Sequence, residues 1–277
     1  MYVARVGAAM RPEATGHNGW MPETRRFAMK VAYLGGAFAG WQRQRAQRTV
    51  QGELERALQR LFRVPVTVTG AGRTDSGVHA AGQVAHFDAP LVVPLAGARA
   101  ALVHTLPEDV RVLRLWQPPA GFDARRSATG KRYRYRISWG VSLPPWEELR
   151  SWRLPGRPDL DLMAQLLPGL VGCRDFAPFA STGHCGNGAR GTVRTITGAS
   201  LVNRGRRAAL TFEGDGFLRG MVRRMVGALV QVGRGTRPPG WLRDLLAGRV
   251  MEPAAPAAPA HGLTLERVFY PARMLRG

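Results

Sequence analysis

Residues 131–139 read K-R-Y-R-Y-R-I-S-W, and their side chains alternate strictly between two kinds. Tyr133, Tyr135 and Ile137 occupy every second position, and arginines occupy the positions between them. Successive side chains of a strand lie on opposite faces of a sheet, so this period of two predicts a strand. The stretch therefore predicts a strand with one apolar face and one face of arginines.

Strands and helices alternate on both sides of this strand, in two similar series. The first series runs through a strand at 29–33, a glycine-rich turn at 35–40, a helix that begins at Thr49, strands at 64–69 and 83–87, a short helix and a strand at 110–116. The second series continues from 131–139 through a helix at 162–167, strands at 193–202 and 206–213, a helix at 217–232, a short helix at 241–246 and a strand at 263–270. This order predicts an α+β protein with two ferredoxin-like, RRM-like halves, whose sheets join edge to edge around a central cleft. We expect a disordered leader at 1–28, an N-terminal half at 29–124 and a C-terminal half at 125–277.

The balance of charge is strongly basic. Forty lysines and arginines stand against nineteen acidic residues, which gives a net charge of +21 and a pI near 11.6. A field of this size attracts nucleic acid or an anionic membrane surface. No apolar run reaches the roughly 18 residues that a membrane span needs, so a membrane protein is not expected. The central cleft is therefore predicted to be basic, with nucleic acid as its partner.

The cysteines and the N-terminus indicate the compartment. Cys173 and Cys185 are too few for a disulfide framework, and without a C-x-x-C spacing they do not predict a metal site. Residues 1–28 lack the continuous apolar core of a signal peptide. These features predict a protein of the reducing cytoplasm that holds no metal.

Asp75 lies in the stretch G-A-G-R-T-D-S-G-V-H at residues 70–79, two residues after Arg73. Glycines allow a sharp turn and the close approach of a ligand. One interpretation is an aspartate that bonds its own turn. A second is half of an aspartic-protease pair, but no second D-S-G or D-T-G is present, since Asp215 lacks the middle residue. The third is a lone carboxylate that attacks a carbon of a sugar or a base.

The segment 217–232 is apolar nearly all round, which predicts a buried helix, yet it contains Arg219, Arg223 and Arg224. A buried guanidinium without a partner is costly, so we expect at least one of these arginines to meet an anion. Arg219 and Arg223 lie one turn apart on the same face. Their anion is either an RNA phosphate or the carboxylate of Asp75, and exposure to solvent is the remaining alternative.

The spacing of the sequence leaves two roles open for Tyr133. It packs in the core with Tyr135 and Ile137, or it offers an aromatic platform to a base that has left its stack.

The motifs of this sequence resemble those of a known family, the pseudouridine synthases of the TruA type. The signature resemblance is G-R-T-D-S-G-V-H at 72–79. Further segments typical of the family are G-W-Q-R-Q at 40–44, R-T-V-Q at 48–51, G-Q-V-A-H-F at 82–87, F-D-A-R-R-S-A at 122–128, K-R-Y-R-Y at 131–135, D-F at 175–176 and M-V-R-R-M-V-G at 221–227. The resemblance covers nearly all of residues 29–272.

The resemblance implies the pseudouridine synthase fold and the isomerisation of uridine to pseudouridine at positions 38, 39 and 40 of the tRNA anticodon arm. It implies no cofactor, no metal, and a homodimer in which one tRNA contacts both subunits. By position, Asp75 resembles the catalytic aspartate and Tyr133 the tyrosine that stacks on the target base. Arg223 resembles the arginine that pairs with the aspartate, and Arg73 a residue that binds substrate. Covalent attack by Asp75 and abstraction of a ribose proton both remain open.

A rival interpretation is an RNA-binding protein without catalytic activity, built from two recognition-motif-like domains. It would share the charge and the order of elements. It would also carry strands of the K/R-G-F/Y-G/A-F-V-x-F/Y type, and the sequence contains none. Such a protein has no use for an acid that faces RNA, because the acid repels phosphate.

Overall fold

The computed structural model describes residues 23–90, 93–140, 142–181, 191–250 and 256–275. These residues form an α+β protein with one continuous ten-stranded sheet. The strands are Thr24–Tyr33 (β1), Thr69–Gly70 (β2), His79–Pro90 (β3), Val110–Trp116 (β4), Gly130–Trp139 (β5), Trp152–Leu154 (β6), Gly172–Asp175 (β7), Val193–Asn203 (β8), Arg207–Gly214 (β9) and Leu263–Phe269 (β10). The helices are Val50–Phe62 (α1), Leu95–Thr105 (α2), Pro145–Glu148 (α3), Leu160–Leu166 (α4), Met221–Gly233 (α5) and Pro239–Leu246 (α6). None of the described helices is both long and apolar enough to cross a membrane.

The two halves of the sheet repeat one strand order. The N-terminal half has the order β4-β1-β3, with β2 paired to the far side of β3, and the C-terminal half has the order β10-β5-β9-β8. Within each half these neighbours are antiparallel. Counted within its own half and without the short strands β6 and β7, each order reads fourth, first, third and second strand, with a helix after the first and the third. The predicted pair of ferredoxin-like halves is confirmed.

The halves join where β3 meets β10. These two strands run parallel, and His79 pairs with Thr264 and Ala80 with Leu265. At Gly82 a Cβ atom would lie 2.3 Å from the carbonyl oxygen of Glu266, so only a glycine permits this approach of the two backbones. The edge-to-edge union therefore includes a short pairing and a close backbone contact.

The alternation in β5 has the predicted effect. Tyr133, Tyr135 and Ile137 are buried on the face of the sheet that the helices cover, whereas Arg134 and Arg136 lie on the opposite face and remain partly exposed. Helix α5 lies in the same core and is buried nearly all round, as its composition predicted.

The predicted strand at 64–69 is wrong for most of its length, because only Thr69 and Gly70 pair with β3. The backbone of Val68 instead bonds to side chains of α1. Its N–H donates to Oε1 of Glu55 at 3.0 Å, and its carbonyl accepts from Nε2 of Gln51 at 3.0 Å. Because these side chains replace the hydrogen bonds of a neighbouring strand, the β-branched run stays irregular.

Two predicted boundaries also shift. Strand β1 begins at Thr24, so the leader does not extend to residue 28; Arg26 forms two 2.8 Å bonds with Asp88 across the strand pair and fixes this extension. Helix α5 begins at Met221 rather than at 217, because Gly220 has a φ of +73° that a helix does not contain. The rest of the leader (residues 1–22), Cys185 and residues 253–255 lie outside the described residues. Helix α3 and strands β6 and β7 were not predicted.

Candidate active site

A cleft of about 1080 Å³ opens between the halves on the face covered by helices. The four residues singled out from the sequence, Asp75, Arg73, Tyr133 and Arg223, all line it. Among the described residues that line the cleft, Asp75 is the single acid, whereas six are cations: Arg73, Arg125, Lys131, Arg194, Arg219 and Arg223. The cleft therefore attracts a polyanion and presents one carboxylate to it.

The loop that carries Asp75 is fixed from both sides. The hydroxyl groups of Tyr33 and Thr74 lie 2.8 Å apart, and Ser76 Oγ donates to the carbonyl of Phe38 at 3.1 Å. Gly40, with a φ of +93°, brings its backbone so close that a Cβ would lie 2.7 Å from the carbonyl oxygen of Thr74. The end of β1 and the turn after it thus hold the loop rigidly.

His79 anchors the other end of this loop. Its Nδ1 accepts the N–H of Gly35 at 3.0 Å, which leaves the proton on Nε2, and Nε2 lies 3.1 Å from the carbonyl oxygen of Leu149. Burial lowers the pKa of His79, so the ring stays neutral at physiological pH. The signature motif contains this histidine, but sequence reasoning assigned it no role.

The carboxylate of Asp75 faces α5. Its Oδ2 lies 3.4 Å from Nη1 of Arg223, and its Oδ1 lies 3.7 Å from Nε of Arg219. In the part of the chain that the structure describes, its oxygens contact these guanidinium groups and no backbone amide. This contact argues against a side chain that only bonds its own turn.

The two arginines differ in how firmly they are held. Arg223 is 22% exposed, its Nε donates to the carbonyl of Ala258 at 2.7 Å, and its own carbonyl accepts the N–H of Ala258 at 3.0 Å. Arg219 is 71% exposed. Because solvent screens an exposed charge, Arg223 is the main electrostatic partner of Asp75.

Tyr133 lies at the base of the cleft. Its ring meets Phe217 edge to face, with 5.1 Å between the centroids, and it is buried. Burial and the nearby charge of Asp75 raise the pKa of its phenol, so the hydroxyl stays protonated. The same ring thus packs in the core and borders the cleft.

Arg73 is turned away from Asp75. Its Nε donates to Oε1 of Gln42 at 3.1 Å at the exposed rim. The cations that contact Asp75 are Arg223 and Arg219 on α5, not this neighbour in sequence. The direction of Arg73 depends on Gln42, which comes from a different loop.

Lys131 lines the cleft and was not assigned a role from the sequence. A Cβ at Gly72 would lie 2.7 Å from its Nζ, so the ammonium group lies against the loop of Asp75. Burial, with the charges of Arg125 and Arg194, lowers the pKa of Lys131 to about 8. The signal was present in the alternation of β5, which places Lys131 on the same face as Tyr133.

Comparison with known proteins identifies relatives of this chain. A sequence model of a family described as tRNA pseudouridine synthase matches residues 29–120 and 167–271. The tRNA pseudouridine synthase A of Frankia casuarinae is 45% identical over 251 residues, which is 89% of either chain. That of Myxococcus xanthus is 39% identical over 246 residues, 88% of this chain and 92% of its own.

Solved structures give a weaker likeness. A chain of a Cbf5-Nop10-Gar1 complex aligns with 75% of this chain and 45% of its own length, at 11% identity and a TM-score of 0.35. The chain thus spans less than half of that neighbour's length.

Proposed function

Because this chain belongs to the tRNA pseudouridine synthase family, we propose that Asp75 is its catalytic carboxylate and that uridines 38, 39 and 40 of the anticodon arm are its targets. The chain isomerises uridine to pseudouridine in tRNA. The observation that carries the assignment of Asp75 is its position 3.4 Å from Arg223 in a cationic cleft, where it is the single acid among the described lining residues. The family resemblance stated above supports the choice of positions.

The reaction breaks the N1–C1′ bond of uridine, turns the base while it is held, and joins C5 to C1′. The proton on C5 is lost and one is gained at N1, so substrate and product are isomers and no co-substrate is consumed. Asp75 either attacks the sugar and forms a covalent intermediate, or removes a proton from the ribose. We propose no cofactor and no metal for either route.

The other residues of the cleft hold the substrate in this proposal. The target uridine must leave its stack, which costs a few kcal/mol. Stacking on Tyr133 offsets this cost by about 1–3 kcal/mol. Arg223 holds the carboxylate in place, and Arg73 at the rim binds the RNA backbone, which suits a guanidinium fork.

The proposal includes a homodimer and a cytoplasmic location. The family resemblance and the absence of a disulfide framework support them. Sedimentation of the purified protein should give twice the chain mass of 30.2 kDa. A monomer at micromolar concentration would contradict the dimer and leave the catalytic assignment untouched.

The decisive experiment maps pseudouridine in unmodified tRNA transcripts after incubation with Asp75→Asn. Because the change removes the reacting oxygen and little of the basic surface, turnover should fall by more than about 10³-fold with nearly unchanged tRNA affinity. The matched control is Asp161→Asn, which alters an exposed acid on α4 and should retain full turnover. Pseudouridine formation by Asp75→Asn at the wild-type rate would refute the assignment, and product only outside positions 38, 39 and 40 would refute the proposed targets.

A further inference from the structure

The face of the sheet opposite the cleft contains a second cavity, of about 370 Å³. It lies over β5 and β9, where Arg134 and Arg136 project away from the side that holds Tyr133. On β9, Thr211 pairs with Arg134 and Ala209 with Arg136. Opposite residues of a strand pair share a face, so two small side chains lie beside two long ones and leave a hollow between them. We call this cavity the back-face pocket.

The back-face pocket is strongly cationic. Among the residues that the structure describes, its charged lining consists of one acid, Glu147, and five arginines: Arg134, Arg136, Arg150, Arg204 and Arg207. Glu147 already pairs with Arg207, and Arg134 pairs through Nη1 with Glu266 at 3.0 Å. Within the described ranges, Arg136, Arg150 and Arg204 form no ion pair, and Glu266 acts on Arg136 only at longer range. The pocket thus carries positive charge that the described residues do not neutralise.

Several donors of the pocket also lack acceptors. Nε of Arg134 and Oγ of Ser151 are buried and make no hydrogen bond. The guanidinium of Arg136 is partly buried and has neither a hydrogen bond nor an ion pair with any described residue. Buried polar groups are rarely left unpaired, and a guanidinium can only donate. What the pocket lacks is therefore an acceptor, and the surrounding charge makes an anion the fitting one.

The environment of Arg136 points in the same direction. Burial lowers the pKa of Arg136, and the like charges of Arg134 and Arg150 lower it further, against a smaller opposite effect of Glu266. A bound anion would relieve this repulsion.

We propose that the back-face pocket binds a phosphate group, with Arg136 and Arg150 as the main charges and Arg134 Nε and Ser151 Oγ as further donors. A phosphate has several oxygens that accept from different directions, and planar guanidinium groups match its geometry. Free phosphate and the phosphodiester of an RNA backbone share this chemistry. The pocket does not depend on the function proposed for the cleft, because it lies on the other face of the sheet.

The test measures phosphate binding to the full chain by calorimetry, with sodium chloride of equal ionic strength as the reference. Arg136→Gln and Arg150→Gln should each weaken the affinity for inorganic phosphate about tenfold, since each loses a charged hydrogen bond. The matched control is Arg249→Gln, which removes an exposed arginine that pairs with Asp244 and lines neither cavity. It should bind phosphate as the wild type does. Because the cationic cleft can also bind phosphate, the phosphate affinity of each pocket variant is compared with that of the wild type and of Arg249→Gln.

The melting temperature without phosphate shows whether Arg136→Gln still folds, and the exposed Arg150 provides a variant that leaves the core intact. A second measurement, tRNA binding at several salt concentrations, identifies the source of the phosphate. Weaker tRNA binding by both variants, with a salt slope smaller by about one, assigns the pocket to an RNA backbone. Unchanged tRNA binding with weakened phosphate binding assigns it to free phosphate. Wild-type binding of both ligands by both variants would overturn the proposal. That result would leave the function proposed for the cleft untouched, because pseudouridine formation by the wild type is measured separately.

Discussion

The two halves of the sheet repeat one strand order, yet they contribute different kinds of residue to the cleft. The N-terminal half supplies Asp75 from a loop, which Tyr33, Phe38 and Gly40 hold in place. The C-terminal half supplies Tyr133 from the middle of a strand and Arg223 from a buried helix. The carboxylate thus lies on a segment that can approach a ligand closely, and its partners lie on elements that the core makes rigid. The same fold unit thus contributes an acid from one half, and an aromatic ring and a cation from the other.

The difference extends to how the halves are held together. Within a half, β1 and β3 pair along most of their length, whereas between the halves only two residue pairs join β3 to β10. Asp75 lies four residues before this junction, and Arg223 lies beyond it. The distance between Asp75 and Arg223 therefore depends on how the two halves join. Substitutions in either half test this dependence separately.

Among the partners of Asp75, the largest effect is expected from Arg223→Gln, with Arg219→Gln as its counterpart on the same helix face. Arg223 is the less exposed and the nearer to Asp75, so its loss should lower kcat about 10²-fold, which corresponds to about 2.7 kcal/mol. Arg219 forms a solvent-screened pair, and its loss should lower kcat by less than about fivefold. Single-turnover assays on tRNA measure both, with melting temperatures as the control for folding. Equal losses would show that position on the helix, rather than burial, sets the contribution.

The next effect concerns Tyr133, the uncharged residue that the C-terminal half contributes to the cleft. Tyr133→Leu removes the ring, and a stacking energy of about 1–3 kcal/mol predicts a loss of roughly 5- to 150-fold in kcat/KM. Tyr133→Phe keeps the ring and should lose less. Because the raised pKa keeps the phenol protonated, the pH profile of the Phe variant should match that of the wild type. Equal losses in the two variants would point to the hydroxyl instead of the ring.

The junction itself is tested by Gly82→Ala, with Gly198→Ala as the matched change inside one half. A Cβ at Gly82 would lie 2.3 Å from a backbone oxygen of β10, whereas at Gly198 in β8 the nearest atom is 4.0 Å away. Overpacking of this kind costs about 1–3 kcal/mol of unfolding free energy, and a displaced junction should lower kcat roughly tenfold. Thermal unfolding and turnover measure the two consequences. Wild-type turnover in Gly82→Ala would show that the halves keep their relation without the close contact.

The sequence predicts the strand at 131–139 better than the course of residues 64–69, because the first depends on local alternation and the second on distant contacts. The alternation at 131–139 is local, and it predicts both the strand and the face that is buried. The irregular course of 64–69 depends on Glu55 and Gln51, whose side chains bond Val68 from a helix, and a β-branched run does not reveal this. Propensity is a weaker guide than the hydrogen bonds that a segment finds in the fold.

The site follows the same rule. Segment 217–232 shows from composition alone that its arginines need an anion, but the choice of Asp75 for Arg223 came from the family resemblance. The direction of Arg73 depends on Gln42, and the back-face pocket depends on the register that sets Ala209 beside Arg136. Contacts between distant segments have no local signal in a single sequence, so these parts required the structure.

The smallest effect concerns Lys131, the residue of the C-terminal half that contacts the loop of the other half at Gly72. Its pKa of about 8 means that the charge is present below pH 8 and is lost as the pH rises through that value. The dissociation constant for tRNA should therefore rise by a few-fold between pH 7 and pH 9, because the cleft loses one positive charge. Filter binding at constant ionic strength measures this change. Lys131→Met should bind weakly at both pH values and show little of the dependence.

In the absence of tRNA, deprotonation of Lys131 should stabilise the folded protein, although the same deprotonation weakens tRNA binding. The pKa of Lys131 is lower in the folded state than its usual value of 10.5, so between about pH 8 and pH 10.5 the unfolded chain binds more protons. The contribution of Lys131 to the free energy of unfolding must then increase as the pH rises through this window. Urea unfolding of the wild type and of Lys131→Met, compared at each pH, isolates that contribution. A variant that retains the full pH dependence of both binding and stability would assign the titration to a different group of the cleft, whereas loss of both dependences would assign it to Lys131.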